Sequence, residues 1–179
     1  MVAWVLRFLG RDPTSRVVLD SEELLRHQPE SRRKVTGVSS VKKAWDLVDE
    51  AKLEIDNLSA EQVKAELDAG TATVVDIRDF RELYLKGKVP GAFHCDRGML
   101  EFWIDPASEY YRDVFKPDQR YILYCAGGGR SALSAKTMKD MGYTNVGHLE
   151  SGFGGWAAAG LPIEEQKTGS KWVLRSDVS

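Results

Sequence analysis

The feature that most constrains the fold is a strand, loop and helix pattern between residues 121 and 141. Tyr121-Ile-Leu-Tyr124 is a continuous apolar run, which favours a strand covered on both faces, the usual state in a parallel sheet. Cys125-Ala-Gly-Gly-Gly-Arg-Ser131 follows directly, and apolar residues then recur at helical spacing over 132–141. The chain is therefore predicted to pass from a buried strand into a helix through a glycine-rich loop that begins with a cysteine.

The remaining segments alternate between sequence patterns typical of strands and patterns typical of helices. We predict strands over 71–77 and 145–149, a turn over 89–92 leading into 93–95, helices over 41–55, 59–67 and 152–159, a short helix or turn over 81–86, and an irregular aromatic segment over 98–118. Ser59-Ala-Glu-Gln62 has the pattern of a capping box that opens the second helix. This order predicts an α/β fold with a small, mostly parallel sheet flanked by helices on both faces. Active sites in such folds gather beyond the carboxyl ends of the strands, where Cys125 lies.

Composition argues against several classes of function. The 179 residues carry a net charge of −2, which gives no argument for nucleic acid or a membrane as partner. No stretch approaches the ~20 apolar residues of a membrane span. Two cysteines, Cys95 and Cys125, are too few for a disulfide framework and suit a reducing compartment. The histidines at 27, 94 and 148 show no spacing typical of metal ligands, so we expect neither a metal nor a cofactor.

The loop after Tyr124 has the composition of an anion site built around a thiolate. Successive glycines allow backbone N–H groups to converge on one point, and the start of the next helix adds free N–H groups and its dipole. We expect both to stabilise negative charge on Cys125, and the thiolate is the nucleophilic form of cysteine. Phosphoryl and sulfur chemistry both remain open. Cysteine-dependent phosphatases need Cys-x5-Arg to surround an oxyanion, whereas Cys125 and Arg130 are spaced as Cys-x4-Arg, which favours a single sulfur atom.

Three separated motifs resemble those of the rhodanese family. In chain order they are Val75-Asp-Ile-Arg78 with Glu82-Leu-Tyr84 and Gly87-Lys-Val-Pro-Gly-Ala92, then Tyr124-Cys-Ala-Gly-Gly-Gly-Arg-Ser-Ala132, then Leu149-Glu-Ser-Gly-Phe-Gly-Gly-Trp156. The first departs from the family at Lys88, where histidine is common, and the second is similar to the family's active-site loop. Order and spacing agree from Ser40 to Glu165.

The resemblance implies a single-domain sulfurtransferase. Cys125 would be the catalytic residue, taking the outer sulfur of thiosulfate or another sulfane donor, carrying it as a persulfide, and passing it to cyanide or a thiol. The implied substrate-binding residues are Ala126, Gly127, Gly128, Gly129, Arg130, Ser131 and Arg78. A protein-to-protein persulfide carrier in a sulfur relay needs the same loop and stays an alternative. A phosphatase or arsenate reductase of the same fold is disfavoured by the Cys-x4-Arg spacing.

Several of these residues allow two interpretations. The Arg130 guanidinium would orient an anionic donor or shape the loop, and a cation at a helix N-terminus suggests an anionic partner. Asp76 and Arg78 can instead be structural, tying neighbouring loops together just past a buried strand. Cys95 is either a resolving thiol that forms a disulfide with Cys125 or a small buried residue, and free cysteines are usually buried.

Two further expectations concern the loop and the pocket around it. Phe102 and Trp103 are candidates for the wall of a substrate pocket, with ordinary core as the alternative. We expect Gly128→Val to damage activity more than folding, because the role given to the glycines is to let the loop curl around an anion.

Charge is distributed unevenly along the chain. The first 43 residues hold nine Lys or Arg and five Asp or Glu, about +4, which leaves about −6 for the rest. We predict a flexible basic extension or targeting segment over 1–38, a rhodanese-like domain over 39–166 and a C-terminal tail over 167–179. A cytoplasmic location is expected, or an organellar matrix if the N-terminal segment is a transit peptide.

Overall fold

The computed structural model describes residues 41–166, so the predicted extension over 1–38 and the tail over 167–179 lie outside the described residues. This part of the chain forms five strands and six α-helices, with a 3-10 turn at Arg97–Met99. In chain order they are α1 (Ala44–Lys52), β1 (Asp56–Leu58), α2 (Ala60–Asp68), β2 (Thr73–Asp76), α3 (Phe80–Lys86), β3 (Phe93–His94), α4 (Leu100–Ile104), β4 (Tyr121–Tyr124), α5 (Gly129–Asp140), β5 (Val146–Leu149) and α6 (Gly152–Ala158).

The five strands form one parallel sheet in the order β1-β5-β4-β2-β3. The predicted α/β fold with a mostly parallel sheet is confirmed. The central strand, β4, has all four residues buried, as a continuous apolar run implies. Because every strand runs in the same direction, the residues that follow β2, β4 and β5 lie at one edge of the sheet, the carboxyl edge.

Helices cover both faces of this sheet. Tyr121 and Leu123 of β4 pack on one face with residues of α1, α4 and α5. Ile122 and Tyr124 pack on the other face with residues of α2 and α6. The alternation follows from the strand itself, because successive side chains point to opposite faces. Helix α1 also packs directly against α5, which brings it beside the loop that begins at Cys125.

The capping box predicted at Ser59 is present. The Gln62 N–H donates to the Ser59 hydroxyl oxygen over 3.3 Å, and the Ser59 N–H donates to the Gln62 side-chain oxygen over 2.8 Å. Helix α2 consequently begins at Ala60, and Gly70 follows its end with a φ of +66°.

Four details differ from the sequence-based expectations. The strand β1 is not predicted, because Asp-Asn-Leu contains one apolar residue and shows no alternation. Helix α5 begins at Gly129, three residues before the expected start, because glycine is a poor helix former in sequence terms. The 98–118 segment contains α4 where irregular structure is expected. Trp45 is spaced three residues from the buried Val48 of α1, which predicts a position on the core face, but it is 67% exposed. None of the helices within residues 41–166 has the length and apolar character to cross a bilayer.

Candidate active site

Cys125 is the first residue after β4, and its loop leads into α5 at the carboxyl edge of the sheet. The side chain is buried, with 2% of its surface exposed. The first two carbonyls of the loop are bound by the start of α6: the Phe153 N–H donates to Cys125 O over 2.8 Å, and the Gly154 N–H donates to Ala126 O over 3.0 Å. The third sequence motif therefore fixes the position of the second.

Gly128 closes the loop in a conformation that excludes a side chain. Its φ is +91°, and a Cβ atom would lie 2.0 Å from the carbonyl oxygen of Glu150. The Gly128 carbonyl accepts from the Ala132 N–H over 3.0 Å and from the Ser131 hydroxyl over 2.9 Å. From the sequence we expect Gly128→Val to damage activity more than folding, but from the structure we expect it to damage folding as well, because the backbone has no room for the substitution.

The backbone N–H groups of the loop differ from its carbonyls in their hydrogen bonding. Among residues 41–166, no acceptor is paired with the backbone N–H groups of 126–131, the last three of which open α5. A row of unpaired donors beside a buried sulfur can stabilise negative charge there. Gly127 has space around its Cα, because no atom lies within 4 Å of a Cβ placed there.

A chain of buried polar side chains leads away from the sulfur. The Ser131 Oγ lies 3.6 Å from Cys125 Sγ and 3.2 Å from Nδ1 of His148. The other ring nitrogen of His148, Nε2, lies 2.9 Å from the side-chain oxygen of Asn57. Ser131 and His148 are both fully buried. Strand register explains the last contact, because Asn57 of β1 is paired directly with His148 of β5.

The hydrogen bonds of Asn57 fix the protonation of this chain. Its amide nitrogen donates to the carbonyls of Lys52 and Ile55, over 2.9 and 3.2 Å, so its oxygen faces His148. The His148 Nε2–H must then be the donor to Asn57. Burial lowers the pKa of His148 to about 4, so the neutral ring presents Nδ1 as an acceptor for the Ser131 hydroxyl. The Ser131 proton consequently has three acceptors within reach: Gly128 O, His148 Nδ1 and Cys125 Sγ.

Arg130 already has an anionic partner within the chain. Its two terminal nitrogens donate to the two carboxylate oxygens of Glu82 over 2.7 and 3.1 Å. These bonds raise the pKa of Arg130 and lower the pKa of Glu82. Glu82 is therefore one anionic partner of Arg130, and the Cys125 side chain is a second, because its charge and a hydrogen bond also raise the pKa of Arg130.

Arg78 forms a buried cluster behind the loop. It is fully buried with Asp76, and its Nε and Nη2 donate to the Asp76 carboxylate over 2.9 and 2.6 Å. Nη2 also donates to Gly87 O over 2.8 Å, the Tyr124 hydroxyl donates to the same carboxylate, and the guanidinium lies 4.1 Å from the centre of the Phe153 ring. Burial opposes the charge on Arg78, but the hydrogen bonds and charge of Asp76 outweigh it and raise the pKa. We infer a structural role for Arg78 in place of the substrate-binding role expected from the resemblance.

The other candidate residues take ordinary positions. Cys95 is fully buried, both cysteines are free thiols, and burial raises the pKa of Cys95 to about 12, which suits a core residue. Neither Phe102 nor Trp103 lines the cavity at Cys125. Over residues 41–166, no group of three His, Cys, Asp or Glu side chains is arranged to hold a metal ion.

Four residues of the site are missed by the sequence analysis: Trp45, Asn57, Tyr124 as a hydrogen-bond donor, and His148. His148 carries a signal, because it directly precedes the third motif on a predicted strand. Asn57 carries none, because it lies on the strand that the pattern does not predict.

Comparison with known proteins places the chain in a family. Residues 59–159 match the Rhodanese-like domain, and the chain belongs to this family. A thiosulfate sulfurtransferase, GlpE, from Actinobacillus succinogenes is 31% identical over 93 residues, which cover 52% of this chain and 76% of that protein. The "Putative sulfur carrier protein YrkF" of Bacillus subtilis is 29% identical over 103 residues, which cover 57% of this chain and 51% of that protein.

Other relatives are longer or differ in described activity. A tRNA uridine(34) hydroxylase from Salmonella paratyphi B is 31% identical over 60% of this chain, and the match spans only 31% of that relative's length. Among solved structures, a protein of unknown function from Rhodopseudomonas palustris, described as a possible tyrosine phosphatase, is 48% identical with a TM-score of 0.67, covering 69% of this chain and 96% of that one. A thiosulfate sulfurtransferase from Pseudomonas aeruginosa is 30% identical with a TM-score of 0.57, covering 70% of this chain and 23% of that one. The relatives within this family thus include proteins described as a sulfurtransferase and as a putative sulfur carrier.

Proposed function

We propose that this protein is a sulfurtransferase that moves a sulfane sulfur through a persulfide on Cys125. The Cys125 thiolate attacks the outer sulfur of thiosulfate or another donor, the bond to the rest of the donor breaks, and sulfite or the corresponding leaving group departs with the electron pair. Cyanide or a thiol then attacks the outer sulfur of the persulfide and regenerates Cys125.

The observation that carries this proposal is the difference in hydrogen bonding between the carbonyls and the N–H groups of the loop. The carbonyls of Cys125, Ala126 and Gly128 accept hydrogen bonds from α6, Ser131 and Ala132, whereas the loop N–H groups find no acceptor within the described chain. The Ser131 hydroxyl, 3.6 Å from Cys125 Sγ, adds a further donor that can turn towards an anionic sulfur. These groups suit the single negative charge of a persulfide, and they require no metal or cofactor.

Mass spectrometry of the intact protein after incubation with thiosulfate tests the proposal. We expect the wild type to gain one sulfur atom, the Cys125→Ser variant to gain none, and Cys95→Ser to behave as the wild type because Cys95 is buried in the core. Addition of cyanide should then remove the sulfur as thiocyanate. A sulfur that is gained equally by Cys125→Ser contradicts the proposal.

A sulfur carrier that serves a partner protein is the second candidate, supported by the similarity to the sulfur carrier relative. A carrier accepts and delivers sulfur once per encounter with its partners and needs no turnover with thiosulfate. Steady-state thiocyanate formation that exceeds one equivalent per protein favours the enzyme. Persulfide formation from a protein persulfide donor, without turnover of thiosulfate, favours the carrier.

A phosphatase is the third candidate, because the Rhodopseudomonas palustris relative is described in those terms. Arg130 is the residue that would bind a phosphate, and its guanidinium is occupied by Glu82. We expect no hydrolysis of an aryl phosphate above the level of Cys125→Ser. Turnover of an aryl phosphate that depends on Cys125 would replace the sulfurtransferase proposal.

A further inference from the structure

A cavity of about 380 Å³ opens onto Cys125. Its walls come from α1, from the loop after β4 and from the first turns of α5. Apart from Cys125, the loop glycines and Arg130, the lining residues are apolar: Ala44, Trp45, Val48 and Leu133. Thiosulfate is a small, strongly hydrated dianion, which gains little from contact with an apolar wall.

Trp45 is the largest of these lining residues. It is 67% exposed, so its indole is not there to fill the core. Its ring nevertheless lies flush against the loop, because a Cβ placed at Gly129 would be 3.3 Å from two atoms of the six-membered ring. An exposed indole fixed beside a nucleophile offers a flat apolar surface to a ligand in the cavity.

The charges of the cavity favour the same kind of ligand. Arg130 is the charged residue among the lining side chains that the structure describes, and Glu82 neutralises it through two hydrogen bonds. An anionic sulfur at Cys125 interacts with Arg130, whose pKa it helps to raise, and lies beside the loop N–H groups. The rest of a ligand gains most by covering the apolar wall and releasing its water.

Building on the proposed function, we propose that the sulfur donor of Cys125 carries an apolar organic group R and that Trp45 binds this group. Such donors are thiosulfonates, R–SO2–S⁻, and hydropersulfides, R–S–S⁻. The Cys125 thiolate attacks the outer sulfur, the bond from that sulfur to R–SO2 or R–S breaks, and the electron pair leaves with the sulfinate or thiolate. A neutral sulfur atom is transferred, so the step needs no separate oxidant or reductant.

Two donors that differ only in R test this inference. We compare kcat/KM for benzenethiosulfonate and methanethiosulfonate, with cyanide as acceptor, in the wild type, Trp45→Ala, Trp45→Phe and Phe102→Ala. The intrinsic reactivities of the two donors cancel when the phenyl-to-methyl ratio is compared between variants. We expect this ratio to fall about tenfold in Trp45→Ala, equivalent to about 1.4 kcal/mol, to fall less in Trp45→Phe, and to be unchanged in Phe102→Ala. Phe102 is the matched control, since it is an exposed aromatic residue outside the cavity.

The outcomes separate this inference from the function on which it rests. An unchanged ratio in Trp45→Ala, with persulfide still formed on Cys125, overturns the inference and leaves the sulfurtransferase in place. Absence of persulfide with every donor overturns the proposed function. In that case calorimetric titration with benzenesulfinate and methanesulfinate decides the inference, because a wild type that binds both equally, or a preference that survives Trp45→Ala, refutes it.

Discussion

Replacing Arg78 by methionine separates a structural role from a role in substrate binding. Methionine keeps much of the apolar volume but removes the donors that Arg78 gives to Asp76 and Gly87. The buried Asp76 carboxylate would retain two donors, the Tyr124 hydroxyl and the backbone N–H of residue 78. Removing one partner of a buried ion pair costs roughly 3–5 kcal/mol, and because two donors to Asp76 remain, we expect a loss of about 3 kcal/mol in unfolding free energy.

Chemical unfolding and kinetics measure the two roles independently. Urea unfolding followed by circular dichroism at pH 7 should show the loss of about 3 kcal/mol, and thermal unfolding should show a melting temperature lower by roughly 12 °C. At a temperature where the variant is fully folded, kcat/KM should stay within about threefold of the wild type. This corresponds to a loss of at most ~0.7 kcal/mol of transition-state stabilisation, as expected for a residue that supports the fold and does not bind the donor.

The opposite pattern would refute the structural assignment. A KM for the sulfur donor raised tenfold or more, with little change in unfolding free energy, would return Arg78 to the substrate site. Arg81→Met is the matched control, because Arg81 is exposed and pairs with Asp79 in the same way, and we expect it to change neither quantity. In the double variant Asp76→Asn with Arg78→Met, the stability losses should be less than additive, because both single variants break one interaction.

The remaining expectations concern the loop and the groups around it. Gly128→Ala should destabilise the fold by more than about 2 kcal/mol, because its conformation is left-handed and a carbonyl occupies the space, whereas Gly127→Ala should be nearly neutral in thermal unfolding; equal melting temperatures would contradict this. Between pH 7 and pH 4 the unfolding free energy of the wild type should fall by about 3 kcal/mol more than that of His148→Asn. Burial holds the pKa of His148 at about 4 in the folded protein, whereas the unfolded chain takes up the proton below about 6.5. Equal losses of unfolding free energy in denaturant titrations of the two proteins would refute this. Glu82→Gln should free Arg130 and raise kcat/KM for thiosulfate severalfold at low salt, with the gain lost at high salt; an unchanged or reduced rate would show that Glu82 positions Arg130.

The parts of the fold that follow from sequence are those in which one short pattern determines the structure. The apolar run at Tyr121–Tyr124 identifies a strand buried on both faces, and the capping box at Ser59 identifies the start of a helix, because each signal lies in adjacent residues. The edge strand β1 has no such local signal. Its three residues become a strand only by pairing with β5, so the local sequence carries almost no signal.

The same distinction applies to the site. Cys125 and its glycines can be recognised from adjacent residues, because the loop geometry is encoded within the loop. The contact between Asn57 and His148 depends on the register of two strands that are 91 residues apart at this pair. The Arg130–Glu82 pair likewise joins residues 48 positions apart, and the sequence supplies the need for an anion but not its identity.

The pairing of Arg130 with Glu82 bears directly on the choice between sulfur and phosphate. A phosphate ester is a dianion, and the fork of an arginine is the group that binds it best. To supply that fork, Arg130 would have to leave Glu82, and the freed carboxylate would then lie close to the phosphate, where like charges repel. A persulfide makes a smaller demand, since one negative charge can be stabilised by the loop N–H groups and the Ser131 hydroxyl while the ion pair stays intact. The charge arrangement therefore favours sulfur for a reason independent of the Cys-x4-Arg spacing.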